Sequence, residues 1–335
     1  MTKKKKEIPT KTLCLSLLVL SSLLVFQWLI EKPLSRTHHK QLNTQEKVDS
    51  YLSKLEKKEG AKFIKIPTGI FLTTLDIPTP NKINLSGYIW QKYHKDLPKE
   101  ITKGVIFPEG VGELKLEEAY ERKLEDGVTL KGWSFKAQLT QKFKYRKYPF
   151  DHKTIWIDFL PKSRRKDVVF TPDLASYYTK DLLHEIFALE EDIIIKGYDL
   201  KDTYFTYFLP RLDSNLGIPS YRINKNYPEL SYKISLRRKA SDAIIIYLLP
   251  IFFVLSLLFS LLITITADEE KKERVQFSVS SLIGSCLSLL FVVILAHGHL
   301  RGQFLGESLL YLECFYLVSY FMILFVAMIG YLFSE

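Results

Sequence analysis

The sequence predicts an extracellular or periplasmic β-sandwich joined to an all-α transmembrane bundle, with a further transmembrane helix at the N-terminus. Three observations carry this expectation. Apolar runs at 243–265, 275–296 and 308–333 follow one another in the last third of the chain. Each is long enough to cross a hydrocarbon core of roughly 30 Å as a helix. A fourth run, 13–30, follows Lys3, Lys4, Lys5, Lys6 and Lys11. Between them lies a charged stretch of short β-branched and aromatic runs, cut by Gly, Pro, Asn and Asp.

The elements divide the 335 residues into four parts. Residues 1–35 are a tail and a membrane helix. The core of run 13–30 is long for a signal peptide, and no small-x-small cleavage site follows, so an uncleaved signal anchor is expected. Residues 36–60 are a linker and a short amphipathic helix. In it Val48, Tyr51, Leu52 and Leu55 share one face and Gly60 is the stop. Residues 61–239 form the sandwich. Its strands are expected at 69–74, 83–90, 133–139, 154–159, 192–195, 204–208 and 230–236. Residues 240–335 hold three helices.

Charge sets the expected topology. The lysine-rich N-terminus belongs in the cytoplasm, which places the segment after 13–30 outside. Three further crossings return the C-terminus to the cytoplasm. The loop 267–274 is then inside and carries Lys271, Lys272 and Arg274, while the outer loop 297–307 has only Arg301. The formal charge of +10 fits lysines at a membrane edge and on a solvated domain. Zinc-ligand spacing, RNP-like runs and basic helices are missing, so nucleic acid is not an expected partner. Cys14, Cys286 and Cys314 all sit in apolar runs, so no disulfide is expected in the sandwich. A Ser/His/Asp order, a phosphate loop and an HExxH motif are likewise missing, and His38-His39 reads as surface. The expectation is a non-enzyme without cofactor or metal.

Tyr148-Pro149-Phe150-Asp151, between two strand-like runs, resembles the proline-containing loop of the pentameric ligand-gated ion channels, the Cys-loop receptor family. The whole run 126–151 resembles the same run in bacterial proton-gated members. Thr68-Gly69-Ile70 resembles their first strand, and Lys196-Gly197-Tyr198-Asp199 their Gly-Trp-Asp strand. Gln141 and Ile155 stand where eukaryotic members have the two cysteines, so the chain resembles the disulfide-free bacterial branch. Arg237-Arg238 ahead of the first helix, Pro250 within it, and Glu273-Arg274-Val275-Gln276-Phe277-Ser278-Val279-Ser280-Ser281-Leu282-Ile283 resemble the family's pore domain. The resemblance covers roughly 60–333. It implies a homopentamer in the bacterial inner (plasma) membrane, with both termini cytoplasmic. It also implies inorganic ions as cargo, membrane lipid as surroundings, and a small ligand or a proton as signal.

Helical spacing puts Gln276, Ser280, Ile283, Leu287, Leu290 and Ile294 on one face. Five copies around an axis give polar rings and then an apolar constriction, which gates by dewetting. Glu273 would ring the inner mouth and favour cations. The resemblance pairs Asp151 and Arg238 with an acidic residue of the first strand–strand loop, for which Asp76 is the nearest match, and places Pro149 in the same coupling element. Three features depart from the family. The usual fourth helix is not found after the third; the helix 13–30, which runs in the same direction, either takes its place or lies as a separate anchor in lipid. The binding-loop region is shortened, with Phe107-Pro108-Glu109 as its remnant. The basic loop with Arg164 and Arg165 stands where an aromatic is usual. With Tyr221 and Tyr227, from the stretch resembling the capping loop, these arginines are the ligand-site candidates. His297 and His299 are expected near the outer mouth, as a pair of interfacial residues; the alternative is a ring that senses protons or binds a transition metal. The alternative function is a non-conducting receptor or assembly subunit with a channel-like fold.

Overall fold

The computed structural model describes residues 41–60, 62–98, 100–111, 115–162, 167–178, 185–209, 228–264 and 278–332. They form two units. One holds the described residues up to Phe143 together with His152–Arg237; the other holds Lys144–Asp151 and the described residues from Arg238 on.

The first unit opens with helix α1 (Gln45–Glu59). The Thr44 side chain caps it by accepting from the Lys47 amide, and Gly60 ends it at φ 65, a left-handed turn that suits glycine. Val48 and Leu52 are buried, and Tyr51 stacks on Tyr207 at 5.1 Å. Nine strands follow among the described residues: β1 (Ile64–Thr79), β2 (Lys82–His94), β3 (Val105–Ile106), β4 (Lys115–Lys123), β5 (Val128–Thr140), β6 (His152–Pro161), β7 (Val168–Pro172), β8 (Tyr198–Phe208) and β9 (Glu229–Arg238). They make a five-stranded sheet, β4-β5-β2-β1-β7, and a four-stranded sheet, β3-β6-β9-β8. Pairing is antiparallel except for β1 with β7, which run parallel.

Alternation drives these strands. In β2, Ile83, Leu85, Ile89 and Tyr93 are buried, and in β9 Leu230, Tyr232, Ile234 and Leu236. Tyr177, Phe187, Phe205 and Tyr232 form one aromatic cluster with ring centroids 5.1–6.2 Å apart. The Tyr232 hydroxyl donates to the Phe187 carbonyl at 2.6 Å, so its polar end is satisfied. Gly69 makes room for the Trp90 indole: a Cβ there would come within 2.2 Å of the ring. Trp90 Nε1 donates to Asp173, 2.8 Å away, and Lys92 binds the same carboxylate.

Six of the seven expected strand runs lie inside observed strands. The seventh, 192–195, is turn and coil. Its apolar look misleads, because Ile194 is largely exposed. The backbone that pairs with β1 comes just before it: Leu72 N–H donates to Ala188, and Glu190 N–H donates to Leu72.

The second unit contains three helices long and apolar enough to cross a membrane, Ala240–Ile263, Val279–Gln303 and Glu313–Leu332. The first has a short α-helical start, α2 (Ala240–Ala243), a π turn over Ile244–Leu248, and α3 (Leu249–Thr264). Pro250 has no N–H for the Ile246 carbonyl, and the backbone widens just before it. The others are α4 (Val279–Gln303) and α5 (Glu313–Leu332). Each of α3, α4 and α5 packs on the other two. The buried lines are Ile251, Val254, Leu258 and Leu262 on α3; Leu282, Cys286, Val293 and Leu300 on α4; and Tyr316, Ser319, Ile323 and Val326 on α5. Helix α4 runs past Ala296, where the apolar run was expected to end, through His297 and Gly298 to Gln303. The run 13–30 lies outside the described residues.

Candidate functional site

The loop Lys144–Asp151 lies between β5 and β6 in sequence, yet it belongs to the helical unit. Asp151 is buried and binds Arg238 side-on: Nε donates to Oδ1 at 2.6 Å and Nη2 to Oδ2 at 3.3 Å. The Arg238 amide also donates to the Asp151 carbonyl at 3.3 Å. Two parallel bonds fix the guanidinium plane as well as its charge. Its other face lies over the Tyr148 ring, 4.8 Å from the centroid. Tyr148 packs on Phe304 at 4.7 Å and stands edge-on to Tyr247 at 6.4 Å. Tyr145 meets Phe304 at 5.1 Å, Phe150 meets Tyr311 at 6.3 Å, and the Tyr311 amide donates to the Arg146 carbonyl at 2.7 Å. Pro149 is buried among these residues, after a cis peptide bond. Burial pushes the Tyr148 phenol up to about 12, so it stays neutral beside the arginine.

One short loop therefore holds both the start of the first helix, through Arg238, and the connection from α4 to α5, through Phe304 and Tyr311. The cluster ties the loop to both places within the helical unit. Breaking a buried pair by removing one partner costs about 3–5 kcal/mol, because the other charge stays behind.

Asp76 lies in the other unit. It is exposed on β1 opposite Asn84 and comes before the turn Pro80-Asn81, which carries no carboxylate. Glu273, Gln276, Arg164, Arg165, Tyr221 and Tyr227 lie outside the described residues.

On α4, Ser280, Ile283, Leu287 and Ile294 are exposed and Leu290 is half-buried. This stripe runs beside the buried line Leu282–Cys286–Val293–Leu300, on a side that α3 and α5 leave uncovered. The uncovered arc is wider than the stripe and includes Gly284, Phe291 and Leu295. Two α4 serines satisfy themselves. Ser285 donates to the Ser281 carbonyl at 2.9 Å and Ser288 to the Gly284 carbonyl at 3.0 Å. Serine content alone therefore does not require water along this helix.

The C-terminal end of α4 carries a second buried carboxylate. Glu313 accepts from Arg301 Nη1 at 3.3 and 3.4 Å and from the Leu310 amide at 2.8 Å. His297 Nε2 stands 3.5 Å away. Arg301 also donates to the Glu307 carbonyl at 2.7 Å. The His297 ring stacks on Tyr316 at 5.0 Å, with Nδ1 3.1 Å from the Tyr320 hydroxyl. His297 thus turns onto α5, away from the open arc. His299 is exposed and lies 6.2 Å from the Tyr247 ring.

Sequence reasoning singled out Asp151 and Arg238 and the motif that opens on Tyr148, but not Tyr145, Phe304, Tyr311 and Glu313. The available signal was aromatic enrichment at 145–150 and at 304–316, and a lone carboxylate opening an apolar helix. Among the described residues, no group of three or more His, Cys, Asp or Glu is placed to hold a metal ion. No family model and no curated protein matches this chain.

Proposed function

We propose that the chain is one subunit of a pentameric ligand-gated ion channel, cation-selective and gated by a signal received in a β-sandwich ectodomain. The observation that carries this reading is the joint at Lys144–Asp151. A segment from the middle of the β-rich sequence is bonded to the start of one candidate membrane helix and to the link between the other two. A protein whose only task is anchorage has no use for such a connection. A protein that converts a signal in its β domain into helix movement requires one.

In this reading, five copies of α4 surround the axis, with Ser280, Ile283, Leu287, Leu290 and Ile294 facing it and Gln276 and Glu273 extending the lining towards the cytoplasm. Ile283 supplies the dewetted constriction and the Glu273 ring the preference for cations. The protein resides in the bacterial inner membrane. The ligand site involves Arg164, Arg165, Tyr221 and Tyr227.

One observation favours the second reading, a non-conducting receptor or assembly subunit of the same fold. The back-bonded serines of α4 need no water-filled lumen. Particle images of the purified protein in detergent test the assembly that both readings share. Five-fold particles are expected, and monomers at micromolar concentration would remove the basis of the channel reading.

A further inference from the structure

Three carboxyl groups and one ammonium meet on the four-stranded sheet. Strands β6 and β9 bury Ile155, Ile157 and Phe159 against Leu230, Tyr232 and Ile234 on one face. Side chains of the other parity point the opposite way. There Asp158 stands opposite Ser231, and Trp156 opposite Lys233. Glu229, two residues before Ser231, shares that face. Glu109, in the turn after β3, reaches over and hydrogen-bonds the Asp158 carboxyl, with Trp156 beside it. The turn is also tied through its backbone. The Thr140 amide donates to the Glu109 carbonyl at 3.1 Å, and the Val111 amide to the Gln138 carbonyl at 2.8 Å.

This cluster is largely buried, with Glu109, Trp156, Glu229 and Lys233 half-buried. Asp158 is 5% exposed and Ser231 1%. Glu109 Oε2 and Ser231 Oγ are both buried without a hydrogen-bond partner. The Trp156 indole donates to Glu109, but the contact between the two carboxyl groups has no donor when both are ionised, because an ionised carboxylate only accepts. Lys233 is the one cation that acts on Asp158 here, and burial pushes its own ammonium down. From β9, Glu229 adds a further negative group, which burial and Asp158 push up to about 7. From the end of β5 come Gln138 and Thr140, which carry no charge. Two ionised carboxylates in contact in this largely buried place repel each other, and one proton held between them relieves the repulsion.

We propose that Glu109 and Asp158 hold one proton between them, and that this shared proton latches the turn 107–111 onto the four-stranded sheet. Glu109 donates to Asp158 and stays neutral. Burial first, then the contact with Asp158, raises Glu109 from 4.5 to about 9. A group whose folded value is raised stabilises most at low pH, and the benefit fades as pH rises between the two values. The latch is therefore tight in acid and loosens through neutrality. The link from latch to signal lies in place: Glu229 opens β9, the strand that ends in Arg238.

Amide hydrogen exchange on the full chain in detergent tests the latch, read at Val111 and Thr140 and corrected for the intrinsic rate. Between pH 6 and pH 8, wild-type protection is expected to fall about tenfold per pH unit, since an opened turn releases the proton. Glu109→Gln donates to Asp158 without titrating, so its protection stays flat over the same range. Asp158→Asn, which removes the charge that holds the proton, serves as a second variant and flattens the slope too. Infrared spectra give an independent readout. A protonated-carboxyl band present in wild type at pH 7 should vanish in Glu109→Gln. A flat wild-type profile, a Glu109→Gln profile that keeps the slope, or an unchanged band would overturn the proposal. None of these readouts depends on ion conduction.

Discussion

Two buried aspartates of this protein, Asp151 and Asp158, are neutralised in different ways. Asp151 has an arginine, held by two parallel bonds and covered by a tyrosine ring. Asp158 has a glutamic acid, and the neutralising charge is a proton. Arginine keeps its charge across the whole working pH range, so the first arrangement holds at every working pH. The second depends on pH and suits a place where contact is made and released. Glu313 stands between them, with a partner arginine, Arg301, that is more than a third exposed.

The contrast implies a ranking that can be broken. Asp151→Ala leaves Arg238 buried without its partner and should cost about 3–5 kcal/mol, read as a large drop in thermal midpoint. Replacing both residues with apolar side chains of similar size should recover most of that loss. If the double variant is no better than the single one, the damage comes from packing and the pair is not the joint. Glu313→Ala should cost less, about 1–3 kcal/mol, because Arg301 can turn to water while the Leu310 amide loses its acceptor. Equal losses at Asp151 and Glu313 would show that exposure of the arginine does not set the scale.

The proton-held pair predicts a smaller effect with a definite sign. Raising pH from 6 to 8 should lower wild-type stability, because Glu109 and Glu229 both have raised folded values. In Glu109→Gln the fall should shrink to the share contributed by Glu229. A rise in stability over this range would reverse the assignment. The smallest effect is expected at Ser285, whose hydroxyl bonds its own helix backbone. Ser285→Ala should change the thermal midpoint by an amount equivalent to less than about 0.5 kcal/mol. A larger loss would mean that this serine faces a neighbouring protomer or water.

The legibility of these places in the sequence follows from their physics. Asp151 and Arg238 stood out because a recognisable loop and the start of an apolar run flank them. The long two-fold alternation of β2 and β9 gave those strands away, as did the Thr44 and Gly60 signals around α1. Strand β4 left no such trace. It reads Lys115-Leu116-Glu117-Glu118-Ala119-Tyr120-Glu121-Arg122-Lys123, exposed along most of its length, and its ion pairs from Glu118 and Glu121 to Lys131 appear only once β5 lies beside it. The short β7 is buried throughout and pairs parallel with β1 across about a hundred residues, so no local pattern marks it. An open ring at His297 stood as an alternative because helical spacing gives a face but not the neighbour that covers it. Glu109 and Asp158 are 49 residues apart. Only the register of β6 and the turn after β3 reveal that they share a proton.

The channel reading is tested most directly by current through purified Ile283→Ser protein in planar bilayers, recorded beside wild type under a potassium chloride gradient. A hydroxyl in place of the apolar side chain wets the constriction. The account predicts a standing current in the variant without any stimulus, reversing towards the potassium equilibrium potential, and little current in unstimulated wild type. Five-fold particles that pass no current in either protein, whatever the pH or added ligand, would contradict it.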